Sequence, residues 1–123
     1  MTQARAPGAA LPRAERLRER ADFQRLFRQG ARLERAPFVL LWIPAPGRRA
    51  VAFAVSRRLG GSVVRNRARR RLREAYRRHK TLLPLTGVRL CFVARPPAVE
   101  AAFTDVVNEV AEALRHAARR VTS

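Results

Sequence analysis

Between Arg57 and Lys80 the chain reads RRLGGSVVRNRARRRLREAYRRHK, which holds eleven of the protein's 27 lysines and arginines against one acid, Glu74. Any fold must keep this stretch at a surface, because unpaired guanidinium groups are almost never fully buried. The stretch also has a helical period. At about 100° per residue, Val64, Ala68, Leu72, Ala75, Tyr76 and His79 gather on one stripe. Asn66, Arg70, Arg73 and Arg77 lie opposite, with Arg69 on one shoulder and Arg67, Arg71 and Arg78 on the other. A helix over about residues 62–79 therefore lays its apolar stripe on a sheet and projects a cationic pole. Arg65 borders the stripe and should run its stem along the protein before presenting its head.

Surface helices normally intersperse charges of both signs. Here Glu74 can pair with Arg70 or Arg78, and the remaining guanidinium groups repel one another. A polyanion is the natural counterpart, and arginine suits phosphate because its planar donor fork grips two oxygens and also stacks on bases. The net charge of +18 is well beyond the magnitude of about 2–8 that solubility requires of a small domain.

The rest of the chain supplies the surfaces on which this helix can rest. Residues 1–14, with Pro7, Gly8 and Pro12 among small residues, predict a mobile arm whose Arg5 and Arg13 touch RNA only loosely. A single domain is expected over residues 15–121. From Leu17, RERADFQRLFRQG reads as a short helix with Asp22 as N-cap, Phe23, Leu26 and Phe27 on one face, and Gly30 as its stop. Phe38 to Ile43 and Ala50 to Val55 read as strands in an antiparallel hairpin, and Val88 to Ala94 as a third strand closed by Pro96-Pro97. The last segment puts Phe103, Val106, Val107, Val110, Leu114, Ala117 and Val121 on one stripe, acids first and arginines last, which suits the helix dipole. The order α-β-β-α-β-α predicts a two-layer α/β (α+β) sandwich, a sheet covered by helices. The lone Cys91, inside an apolar run, excludes an intramolecular disulfide and fits a cytoplasmic compartment. No apolar run approaches the roughly 20 residues that span a bilayer.

Three ordered blocks resemble the protein component of bacterial ribonuclease P. They are Leu17-Arg18 with Asp22 to Gly30, Ala54 to Gly60, and Arg65-Asn66-Arg67 followed by Arg69 to Glu74. Cys91 to Pro96 fits as well, and the resemblance runs from about Leu11 to Arg119. It implies a central sheet with a left-handed crossover around the basic helix, against the right-handed preference of about 98% of such connections. It also implies that the catalytic RNA is held by Arg57, Arg58, Arg65, Asn66, Arg67, Arg69, Arg70, Arg73 and Arg77. A cleft between the first helix and one sheet face would take the 5′ leader of precursor tRNA, through Phe23, Phe27, Phe38, Val39 and Arg95. Trp42, next to the strand position aligned with an aromatic, should point to the other face. One protein monomer per RNA is expected.

Phosphodiester hydrolysis needs metal ions, or an acid and a base, at the scissile phosphate. The nine acids are scattered from Glu15 to Glu112, and His79 and His116 have no partner nearby in sequence. No catalytic or metal-ligating protein residue is therefore assigned. This agrees with the resemblance, in which RNA carries the chemistry and Mg²⁺ binds mainly through RNA oxygens. A ribosomal protein, an autonomous nuclease and a DNA-binding helix are the rival readings.

Overall fold

The computed structural model describes residues 15–17 and 19–122, and the arm expected over residues 1–14 lies outside them. In chain order the elements are α1 (Arg20–Gln29), β1 (Ala31–Arg35), β2 (Phe38–Arg48), β3 (Ala50–Ala54), α2 (Ser62–His79), β4 (Thr86–Ala94), α3 (Pro97–Glu100) and α4 (Phe103–Thr122). The four strands form one sheet in the order β1-β2-β4-β3. Helices α2 and α4 cover one face, and α1 covers part of the other.

The expected hairpin between Phe38–Ile43 and Ala50–Val55 does not form. The chain folds back one strand earlier, where β1 pairs antiparallel with β2 across the Ala36-Pro37 turn. β4 lies between β2 and β3, antiparallel to the first and parallel to the second. The reason is burial: Val88, Leu90, Cys91 and Phe92 have no exposed surface, and a strand buried on both faces belongs in the middle of a sheet. β1, ALA-ARG-LEU-GLU-ARG in sequence, carries three charges in five residues, which suits an edge and conceals it from an apolar-pattern reading. The order is therefore α-β-β-β-α-β-α-α, and α2 is the crossover between the parallel neighbours β3 and β4.

Strand parity divides the core. Phe38, Leu40, Trp42, Val51, Leu90 and Phe92 face α2 and α4, while Leu41, Ile43, Cys91 and, half-buried, Val39, Ala52, Ala54 and Val93 face α1. Trp42 meets His116 of α4 edge-on at 5.7 Å, on the face expected for it. α1 begins at Arg20, and Asp22 sits in its first turn rather than at the cap. There the carboxylate faces Arg89 Nε of β4 at 3.6 Å. Gly30 ends the helix because backbone approaches closely: a Cβ would lie 2.5 Å from the Leu26 carbonyl oxygen and 3.1 Å from that of Trp42.

A buried ionic cluster joins the segment before α1 to the end of α2 at the point where the chain crosses from β2 to β3. Arg49 Nε donates to Glu15 Oε2 at 2.7 Å, and Lys80 Nζ donates to Glu15 Oε1 at 2.7 Å. Arg49 Nη1 also donates to the carbonyls of Lys80 and Leu83, and Tyr76 OH lies 3.4 Å from Glu15 Oε2. Burial pushes the Glu15 carboxyl up, but the hydrogen bonds and charges of Lys80 and Arg49 outweigh it, and its pKa is lowered.

Candidate nucleic-acid interface

The basic helix takes the predicted bounds, and Ala68, Leu72, Ala75 and Tyr76 of its apolar stripe are buried. Val64 and His79, at the stripe's ends, are half-buried. The turn before the helix sets the first two arginines of the site. Ser56 Oγ accepts the Arg58 backbone N–H at 3.1 Å, and Gly60, at φ +150, takes a conformation that side chains rarely adopt. Arg57 and Arg58 are left exposed just above the end of β3.

The arginines of α2 divide into two sets. Towards α3 and α4 they are engaged in the fold. Arg71 donates to the carbonyls of Ala98, Val99 and Ala101 at 2.9, 2.6 and 2.8 Å, closing the short α3. Its guanidinium and that of Arg78 lie over the Phe103 ring at 5.5 and 5.0 Å. Glu74 accepts from Arg77 and Arg78, which with Arg77's charge lowers its pKa even against burial. Arg77, expected on the RNA-facing pole, is thus already paired.

The second set meets no acid among the described residues: Arg57 and Arg58 in the turn before α2, Arg65, Arg69, Arg70 and Arg73 towards β3 and solvent, and Arg67 on the shoulder it shares with Arg71 enter no ion pair there. Asn66 Oδ1 accepts from Arg69 Nη1 at 2.7 Å, so the asparagine of the Arg65-Asn66-Arg67 triplet aims the arginine one turn on. Arg73 lies over the Phe53 ring at 5.8 Å, and Phe53 in turn stacks on Phe92. Arg65 is half-buried, and its Nε is fully covered without a hydrogen-bond partner among the described residues.

On the other face, α1 packs mainly against β2 and β4. Val39, Val93 and Ala54 stand side by side across three strands and form a half-buried apolar floor. Phe23 packs on this layer, while Phe27 is 58% exposed. A cavity of about 470 Å³ is lined by Arg20, Phe23, Gln24, Phe27 and Arg28. Arg95 is exposed just beyond the end of β4, its Nη1 donating to the Arg35 carbonyl at 3.3 Å and lying 3.9 Å from Glu34. Phe38 does not belong to this cleft. It has no exposed surface and packs edge-on against Phe92 at 5.1 Å, because alternation along β2 turns residues 38, 40 and 42 away from α1.

Among the described residues, no three His, Cys, Asp or Glu side chains come together as a metal site. No helix among these residues is long and apolar enough to cross a membrane.

A model of the family described as Ribonuclease P matches residues 11–118. The chain belongs to the ribonuclease P protein family. It is 44% identical over 111 residues to the ribonuclease P protein component of Chloroflexus aurantiacus, a match that covers 85% of this chain and 78% of the relative. It is 40% identical over 116 residues to that of Desulfovibrio desulfuricans, covering 90% and 88%. Among solved structures, the Staphylococcus aureus RNase P protein superposes with a TM-score of 0.73 at 27% identity, covering 85% of this chain and 96% of that one. The Thermotoga maritima RNase P protein gives 0.73 at 29%, covering 83% and 96%. The ribonuclease P protein is a subunit of the endoribonuclease that acts in tRNA 5′ processing, and its partner is the ribonuclease P RNA. Ribosomal, autonomous-nuclease and DNA-binding readings give way to this membership.

Proposed function

We propose that the protein assists removal of the 5′ leader by holding two RNAs at once on either side of the β3 edge. The catalytic RNA docks on the acid-free arginines of α2 and of the turn before it. The leader of precursor tRNA lies as a single strand over the apolar floor of Val39, Val93 and Ala54. Phe23 and Phe27 wall that floor, and Arg95 stands just beyond the end of β4. The carrying observation is the sorting of the arginines: Arg71, Arg77 and Arg78 are engaged in the fold, and Arg57, Arg58, Arg65, Arg67, Arg69, Arg70 and Arg73 meet no acid among the described residues.

Each part does work that its chemistry allows. Guanidinium groups screen the repulsion between two polyanions, so leader and catalytic RNA approach at lower salt cost. Exposed aromatic rings favour unpaired bases, whose faces are free to stack. Mg²⁺ supplies the hydrolytic chemistry through RNA oxygens. One protein monomer per RNA, in the cytoplasm, completes the reading.

The test is reconstitution at low Mg²⁺ with the full chain, catalytic RNA, and precursor or mature tRNA. The protein should support leader removal that neither component achieves alone, and it should tighten binding of precursor tRNA more than of mature tRNA. Equal tightening of both would remove the leader cleft from the reading.

A further inference from the structure

We propose that Arg16, Arg69 and Arg73 form one phosphate cradle across the seam between residues 15–17, β3 and α2. The segment entering the fold is then part of the surface that holds the catalytic RNA. This rests on the docking reading above and adds to it a residue outside the basic helix and a definite ligand, a single phosphodiester group.

Strand pairing places Arg16. It forms a parallel bridge with Val51, and the Leu17 N–H donates to the Val51 carbonyl at 2.9 Å. Bridged residues point to the same face of a sheet. Val51 is 2% exposed beneath α2, so Arg16 emerges on the α2 side, just outside the edge strand. Phe53, two residues on and on the same face, carries the Arg73 guanidinium. The segment is drawn against the helix as well, because Glu15 reaches Tyr76, one turn beyond Arg73. Asn66 holds Arg69 one turn before Arg73.

Arg16 and Arg69 each lie close enough to Arg73 to act on it. Burial first, then Arg16 and Arg69, lower the proton affinity of Arg73. The adjacent acid, Glu15, is engaged by Arg49 and Lys80 and is not available to relieve them. Asn66 holds Arg69 and the Phe53 ring holds Arg73, while the backbone bridge fixes the point at which Arg16 leaves the sheet edge. A preorganised cluster of planar forks without a counterion suits non-bridging phosphate oxygens, and it reads backbone rather than base.

Binding of the full chain to catalytic RNA, measured across a salt series, tests this. Arg16→Gln should weaken binding about tenfold and make the slope of log affinity against log salt shallower by about 0.7–0.9. Arg73→Gln should do the same. The double variant should lose little more than either single change, because one phosphate is shared. The free Arg16→Gln protein should melt at the same temperature or higher, since a repulsion is removed. Unchanged binding for Arg16→Gln beside weakened binding for Arg73→Gln would exclude Arg16 from the interface. Slope changes that add in the double variant would mean two separate phosphates, and a fall in melting temperature would mark Arg16 as structural. Any of these overturns the cradle but leaves the docking reading standing. If neither variant alters binding, the docking reading falls with it.

Discussion

The two flanks of α2 carry the same residue type and do different things. On the α3 and α4 flank, Arg71 closes three carbonyls, Arg78 covers Phe103, and Glu74 holds Arg77 and Arg78. On the β3 flank, Arg69 and Arg73 are oriented by Asn66 and Phe53, neither of which neutralises charge. A run of arginines in sequence is therefore not a run of RNA contacts. What separates the two sets is whether acceptors lie within reach, the carbonyls of Ala98, Val99 and Ala101 for Arg71 and Glu74 of α2 itself for Arg77 and Arg78.

The largest effect that sharpens this contrast comes from an arginine wholly inside the fold. Arg49→Ala leaves buried Glu15 without one of its two ion-pair partners and the carbonyls of Lys80 and Leu83 without their Arg49 donor, and should cost about 3 kcal/mol of stability, read as a shift in the urea midpoint. The same carboxylate sets an acid limit. Its folded pKa is lowered below the ordinary 4.5, so its contribution is present above the unfolded pKa and is lost as pH falls through the folded one. Melting temperature should drop on acidification below about pH 4.5, by less in Glu15→Gln than in the parent. A parent and variant with identical acid profiles would show that Glu15 does not set this limit.

Next, Arg71→Ala orphans three carbonyls and should cost about 2 kcal/mol, while the salt slope of catalytic-RNA binding stays as it was. Arg70→Ala should behave in the opposite way, within about 0.5 kcal/mol in stability but with a shallower slope. An unchanged slope for Arg70→Ala, or a shallower one for Arg71→Ala, would break the division of the helix into two flanks.

The other sheet face offers the same contrast in apolar residues. Phe27→Ala should weaken precursor-tRNA binding by about 1–2 kcal/mol with mature tRNA little affected. Phe38→Ala should instead destabilise the fold, leaving no difference between the two tRNAs once the protein is kept folded. The smallest effect belongs to Glu74→Gln. Its partly exposed pairs with Arg77 and Arg78 should change stability by less than about 1 kcal/mol. RNA binding should tighten slightly as two cations are released.

The sequence by itself determined the features that depend on near neighbours. The bounds of α2, its buried stripe, the Gly30 stop and the α4 stripe all follow from a period of about 3.6 residues and from local backbone chemistry. So does the cationic pole, at the resolution of a helix face, and with the three motif blocks it was enough to indicate the family. Strand order was not legible, because which strands pair is decided by how deeply each can be buried, and β1 has too little apolar surface to announce itself. The side of β2 on which Phe38 lies was decided the same way, by which face the helices cover. The roles of the arginines were settled last. A guanidinium on a long stem takes its partner from whatever element packs beside it, and the carbonyls of Ala98, Val99 and Ala101 reach Arg71 from 27 to 30 residues away. Arg65-Asn66-Arg67 named the helix, but only the folded chain assigned Asn66 to aim Arg69 and brought Arg16 to the edge beside it.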